Sequence, residues 1–141
     1  MTAAVIRIVA AVIRDDAGRA LLVRKRGTET FMQPGGKREP GESDLEALSR
    51  ELKEELGCGL RAGSERLFGR FSAPAANEPG HLVEATIYEV AVAGPIEAAA
   101  EIEALLWVDP AAPPDVVLAP LTRDHVLPRL GDAEQRFETC H

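Results

Sequence analysis

The sequence predicts an α/β domain in which helices pack on a mixed sheet, and two observations carry that prediction. Residues 5–13 form a near-continuous run of β-branched and small apolar side chains, the pattern of a strand covered on both faces. A capped amphipathic helix at 43–56 follows, then shorter strand-like runs, so the element order reads ββ-loop-α-βββ-α.

After the first run, Asp15, Asp16 and Gly18 mark a turn, and residues 19–26 (RALLVRKR) read as a second strand paired with the first as a hairpin. Pro34-Gly35-Gly36 and Pro40-Gly41 make 27–41 a loop. The helix begins with an S-x-x-E capping box, Ser43 and Glu46, and Gly57 stands where a helix C-cap belongs. Leu45, Leu48, Leu52 and Leu56 lie within about 80° of one another at 100° per residue, one apolar stripe. Strands are expected at 66–72, 82–92 and 105–108, with a turn at 77–80 between the first two. Three prolines make 109–115 a connection, and 122–130 reads as a short closing helix despite Pro128. There is no internal repeat.

The 141 residues suit one domain, 1–141, and 45% apolar against 28% charged residues is globular composition. Cys58 and Cys140 cannot build a disulfide framework, and no C-x-x-C is present. His81, His125 and His141 are scattered, so a histidine-built metal site is not expected. A net charge of −7 argues against sequence-independent binding to a nucleic-acid polymer, where basic charge supplies most of the affinity. It leaves room for a small phosphorylated ligand whose cations mask the carboxylates. The opening apolar run contains Arg7, is too short to span a bilayer and lacks a signal-peptide layout. No membrane partner is expected, and the expected setting is the cytoplasm.

Glu51, Glu54 and Glu55 span about 100° of the helix circumference, beside the leucine stripe and not opposite it. Such a cluster is ordinarily a solvated acidic face, and the Glu51/Glu55 pair costs an isolated helix a few tenths of a kcal/mol. The glycine loop just before the helix would bring backbone carbonyls to the same flank. Carboxylates and carbonyls together are the ligands a hard cation such as Mg²⁺ prefers.

The full spacing is Gly36, five residues, Glu42, seven residues, Arg50-Glu51-Leu52, one residue, Glu54-Glu55, one residue, Gly57. This resembles the Nudix box, here at 36–58, the signature of the Nudix hydrolases; Cys58 departs from the expected Ile, Leu or Val. The resemblance implies a Nudix-type α-β-α sandwich with a central mixed sheet. It also implies a divalent-metal-dependent enzyme, with Mg²⁺ or alternatively Mn²⁺, that hydrolyses a nucleoside diphosphate linked to another group. Carried over by position, Glu51, Glu54, Glu55 and the Gly36 carbonyl would hold metal. Arg50 would orient a glutamate, and Glu42 would support the loop or a water-mediated metal contact. The general base would be Glu51 or a glutamate ahead of the strand holding Trp107; of Glu101 and Glu103, Glu101 is preferred. Basic residues near the second strand's end often hold substrate phosphate in the family, which points to Arg24 and, after Gly36, to Lys37.

The short length and the PGGK run resemble compact MutT-like members acting on (deoxy)nucleoside triphosphates. Pro74, sixteen residues past the box, is a weaker pointer to ADP-ribose or nucleotide-sugar substrates. A catalytically silent nucleotide-binding module is the third reading, disfavoured by the complete box. Phe31, Met32 and Gln33 could line a base pocket, and His125 could meet a nucleobase. Homodimerisation is common in the family.

Overall fold

The computed structural model describes residues 4–131; Cys140 and His141 lie outside them. Strand β1 (Ala4–Val12) and strand β2 (Ala20–Lys25) are joined through the Asp15 turn, where Leu21 N–H donates to the Ile13 carbonyl at 2.9 Å. Beyond that base they part, which corrects the expected hairpin: β1 joins a four-stranded mixed sheet and β2 a three-stranded antiparallel one.

The wedge that parts them lies in the segment expected to be plain loop. Within it β3 (Phe31–Met32) pairs antiparallel with β2, and β4 (Gly35–Gly36) pairs antiparallel with β1. Ala11 N–H also donates to the Pro34 carbonyl at 2.9 Å. A Cβ on Gly35 would lie 2.1 Å from the Val9 carbonyl oxygen, so only glycine lets the two backbones approach this closely.

Helix α1 (Asp44–Leu56) starts as the sequence predicts. The Ser43 hydroxyl accepts from Glu46 N–H, the Glu46 carboxylate accepts from Ser43 N–H, and Gly57 closes the helix in the left-handed region at φ 69°. Strand β5 (Gly59–Leu60) then pairs with β8 (Val92–Ala93), a two-residue ribbon too short to announce itself by periodicity. Strand β6 (Arg66–Pro74) forms a hairpin with β7 (His81–Glu89), and β7 runs parallel to β1 along its whole length. The first sheet is therefore ordered β4-β1-β7-β6 and the second β3-β2-β9, where β9 (Ile102–Val108) begins three residues earlier than expected. Residues 120–131 form helix α2, which contains a π-type turn at Thr122–Val126.

Alternation along the central strands builds two cores. Val9, Ala11, Leu21 and Val23 pack with Leu48, Leu52 and Leu56 of α1, while Ala10, Val12, Ala20 and Leu22 pack with Val126, Leu127 and Leu130 of α2. The result is the α-β-α sandwich, with β1 and β2 covered on both faces. Leu45, at the outer end of the stripe, is only half-buried. Cys58 is fully buried in the α1 core, where it serves as a small hydrophobe. No helix among the described residues is long and apolar enough to cross a membrane.

Candidate active site

A cavity of about 480 Å³ opens where β4, α1 and the loop before β9 meet. That size suits a small-molecule ligand. Gly36, Lys37, Arg50, Glu51 and Glu101 all line it, so box residues and the preferred base candidate from outside the box come together.

Gly36 and Glu51 are fitted to each other. A Cβ on Gly36 would lie 2.6 Å from Glu51 Cδ, so the glycine leaves the space that the carboxylate occupies. Arg50 fixes that carboxylate from the side, donating from Nη1 to Glu51 Oε1 at 2.8 Å. The same guanidinium grips Glu42 with two bonds, Nε to Oε2 at 2.8 Å and Nη2 to Oε1 at 2.9 Å, and donates to the Lys37 carbonyl at 3.1 Å. One side chain thus ties the loop to the helix and aims Glu51, the paired geometry at which arginine excels. The Arg50 hydrogen bonds and the Glu39 N–H hold the Glu42 carboxyl well below its ordinary range, at about 2. Arg50 itself is held protonated by Glu42.

Glu55 points inward. It is 3% exposed and accepts from Gly35 N–H at 3.1 Å. Burial, followed by the charges of Glu51 and Glu101, pushes its carboxyl up to about 8, against the opposing pull of the Gly35 N–H and the Lys25 ammonium. Glu54 is exposed, with its carboxylate 3.6 Å from Arg50 Nη1. The three glutamates therefore share a flank without converging: among the described residues no three acidic, His or Cys side chains are gathered closely enough to grip an ion. Like charges repel, and each carboxylate turns to the nearest donor. The donor set nonetheless fits a hard divalent cation. Its side-chain donors are oxygens only, with a buried carboxylate destabilised by two neighbouring carboxylates and with Gly36 packed against the Glu51 carboxylate.

Glu101 is held by its backbone. Its carbonyl accepts from Arg26 N–H at 2.7 Å, and the preceding loop is bonded to the end of α1, Ala99 N–H to the Glu55 carbonyl and Glu97 N–H to the Leu56 carbonyl, both at 2.9 Å. Ala100 takes a left-handed conformation at φ 52° to make that turn. Across the cavity rim, Lys25 Nζ stands 3.4 Å from Glu101 Oε1. Glu103 faces away and pairs with Arg26 at 3.3 Å.

The basic residue that reaches the cavity from β2 is Lys25, where Arg24 was expected. Arg24 donates to the Thr28 carbonyl at 2.9 Å and lies over the Phe31 ring. Alternation along β2 accounts for this: Lys25 follows Leu21 and Val23 to the α1 face, whereas Arg24 follows Ala20 and Leu22 to the α2 face. Met32, Gln33 and Pro74 line the cavity, whereas Phe31 packs with the α2 core. His125 stacks on Phe71 at 5.3 Å and is not among the lining residues. Trp107 packs against the α1 core, as its strand position suggests.

Comparison with known proteins agrees with this architecture. Two curated relatives match over short stretches: an RNA pyrophosphohydrolase of Halorhodospira halophila, 44% identical over 48 residues (34% of this chain, 26% of the relative), and an 8-oxo-dGTP diphosphatase of Haemophilus influenzae, 37% identical over 71 residues (48% and 51%). The alignments thus span about a quarter and a half of those proteins' lengths. Among solved structures, a MutT protein from Methanosarcina mazei superposes with a TM-score of 0.73 at 24% identity, over 96% of this chain and 98% of that one. A MutT NUDIX hydrolase from Burkholderia pseudomallei gives 0.70 at 25% identity (91% and 96%), and the E. coli ORF135 protein 0.67 at 27% (99% and 94%). The NUDIX domain family model matches residues 5–130. With that match spanning nearly the whole chain and the box folded into strand, loop and helix around one cavity, the chain belongs to the NUDIX family.

Proposed function

We propose that this chain is a divalent-metal-dependent pyrophosphohydrolase that cleaves a nucleoside diphosphate linked to another moiety. The substrate we assign is a (deoxy)nucleoside triphosphate, converted to the monophosphate and pyrophosphate in the cytoplasm. The observation that carries the reading is the cavity itself, which gathers Gly36, Arg50 and Glu51 of the box with Lys25, Lys37 and Glu101 from outside it. The similarity to proteins named as an 8-oxo-dGTP diphosphatase and an RNA pyrophosphohydrolase supports hydrolysis of a phosphoric anhydride.

Nudix hydrolases generally need a divalent metal. We assign Mg²⁺, with Mn²⁺ as a substitute, to Glu51, Glu54, Glu55 and the Gly36 carbonyl. When bound, such ions neutralise the phosphate chain, acidify the attacking water and stabilise the leaving phosphate oxygen. The rest falls to the chain's own groups. Lys25 and Lys37 hold the phosphates, and Arg50 keeps Glu51 aimed while locking the loop to the helix. The Glu101 carboxylate takes the proton from the attacking water, with Glu51 as the other candidate for that role. Lys25 Nζ, 3.4 Å from Glu101 Oε1, ties that carboxylate to the cavity rim.

A panel assay with Mg²⁺ tests the proposal: pyrophosphate release from nucleoside triphosphates is the expected outcome. Pro74 lines the cavity and favours the second reading, an ADP-ribose or nucleotide-sugar pyrophosphatase. Formation of AMP and ribose phosphate from ADP-ribose, with triphosphates left intact, would select it. Tight nucleotide binding with no turnover under Mg²⁺ or Mn²⁺ would mark a silent binding module.

A further inference from the structure

The cavity has two unlike ends. The charged end holds the box residues, Lys25 and Glu101; the other is walled by Ile6, Ile8, Met32, Val83 and Leu121. Set into that apolar wall are two buried polar side chains, Gln33 at 7% exposure and Thr122 at 0%. They meet across 89 residues of sequence, with Thr122 Oγ1 donating to Gln33 Oε1 at 2.7 Å. Burying a carboxamide is costly unless its polar atoms are matched, so this pair calls for an explanation.

The fold positions the pair deliberately. Phe31 N–H donates to the Val117 carbonyl at 2.8 Å and Ala119 N–H to the Phe31 carbonyl at 2.9 Å, so the approach to α2 runs along β3 and delivers Thr122 beside Gln33. Thr122 also opens the π-type turn, its carbonyl accepting from Leu127 N–H. Such turns recur at functional sites.

Thr122 satisfies only the carbonyl half of the carboxamide. Gln33 Nε2 donates to no side chain or carbonyl among the described residues. Nor is it sealed in, because Glu65 Oε2 is the one side-chain polar atom of the described residues both enclosed and unpartnered. What remains open to Nε2 is the cavity that Gln33 lines.

We propose that the Gln33–Thr122 pair selects the nucleobase: Thr122 fixes Gln33 Oε1, and the Nε2–H donors face a base edge that carries a carbonyl. This inference rests on the nucleotide reading above and names the substrate class within it. A base bearing a carbonyl at purine position 6 or pyrimidine position 4 accepts from Nε2. The amino group of adenine or cytosine at the same place sets donor against donor. With the Thr122 hydroxyl donating to Oε1, Nε2 is the half of the carboxamide left to meet the base.

Two measurements on the full chain test this separately from the reading beneath it. Calorimetric binding of GMP, AMP, UMP and CMP reads base selection without turnover. GMP is expected to bind at least about tenfold tighter than AMP, and UMP tighter than CMP by a similar margin. In Gln33→Leu the ratios should fall to within about threefold of unity, Gln33→Glu should invert them, and Thr122→Val should erode them while Thr122→Ser preserves them. Equal binding of the four by the wild type, failure to bind any of them, or ratios unchanged in a folded Gln33→Leu variant would overturn the inference. The Mg²⁺ panel then stands apart: loss of triphosphate hydrolysis defeats the proposed function, whereas base preference is decided by the monophosphates.

Discussion

The carboxylate of Glu51 occupies the space that a side chain at Gly36 would fill, with a hypothetical Cβ only 2.6 Å from Glu51 Cδ. The neighbouring Gly35 is constrained quite differently, since its Cβ would strike the Val9 backbone at 2.1 Å. Adjacent glycines of one motif therefore answer to different demands.

Substitution should separate them. Gly36→Ala displaces the flexible end of one side chain, so the fold should hold while kcat falls by about 10²-fold or more through misplacement of Glu51. Gly35→Ala must push backbone from backbone, and should cost stability by about 1–3 kcal/mol or more. Thermal unfolding together with kcat for the two variants checks the contrast; equal effects on both quantities would contradict it.

Arg50→Lys keeps the charge and loses the fork. The two bonds to Glu42 and the bond to Glu51 cannot all be made by one ammonium, so activity or metal affinity is expected to drop about 10–100-fold. Titration with Mg²⁺ under turnover reads the change as a raised metal requirement. A variant with unaltered kcat and metal response would show that charge alone suffices.

Glu55 predicts a pH dependence of stability. Its carboxyl is raised in the fold from 4.5 to about 8, so its stabilising contribution is complete below pH 4.5 and is lost as pH climbs through 8. In chelator, Tm should therefore decline between pH 5 and pH 8.5, and Glu55→Gln should flatten that slope. Added Mg²⁺ should raise the wild-type Tm more at pH 8 than at pH 5, because the ion favours the ionised form. Differential scanning calorimetry in EDTA and in Mg²⁺ gives both curves.

Lys25 and Arg24 are neighbours with opposite expected phenotypes. Lys25→Ala should raise KM for the nucleotide about tenfold, since it lines the cavity. Arg24→Ala removes a bond to Thr28 and a contact with Phe31, and should leave KM within about twofold. Glu101→Gln should lower kcat at constant KM; no change would return the base role to Glu51.

What could be read from the sequence follows the range of the interactions. Ser43, Glu46 and Gly57 act within a turn of themselves, so both ends of α1 were legible to the residue. The leucine stripe likewise named the buried face. The hairpin of β1 and β2 was misread because the wedge between them is made of two-residue strands, whose pattern is only that of a turn. The parallel union of β1 with β7 joins residues over seventy positions apart and leaves no local mark. The metal-ligand positions and the Glu101 assignment came from resemblance to a motif. The pointer to Arg24 comes from the family resemblance; alternation separates Arg24 from Lys25, but only the packing of α1 on the Leu21 and Val23 face shows that Lys25 is on the cavity side. Gln33 could be suspected beside the glycines, but its partner Thr122 could not, since only the packing of α2 brings the two together.

The loop ahead of β9 has a last consequence. Its amides at Glu97 and Ala99 saturate the terminal carbonyls of α1, so the final turn of that helix and the segment bearing Glu101 are one cooperative opening unit. Slow deuterium uptake at these two amides should rise and fall together with that of the helix end, and fraying there would unseat Glu55 and Glu101 in a single event.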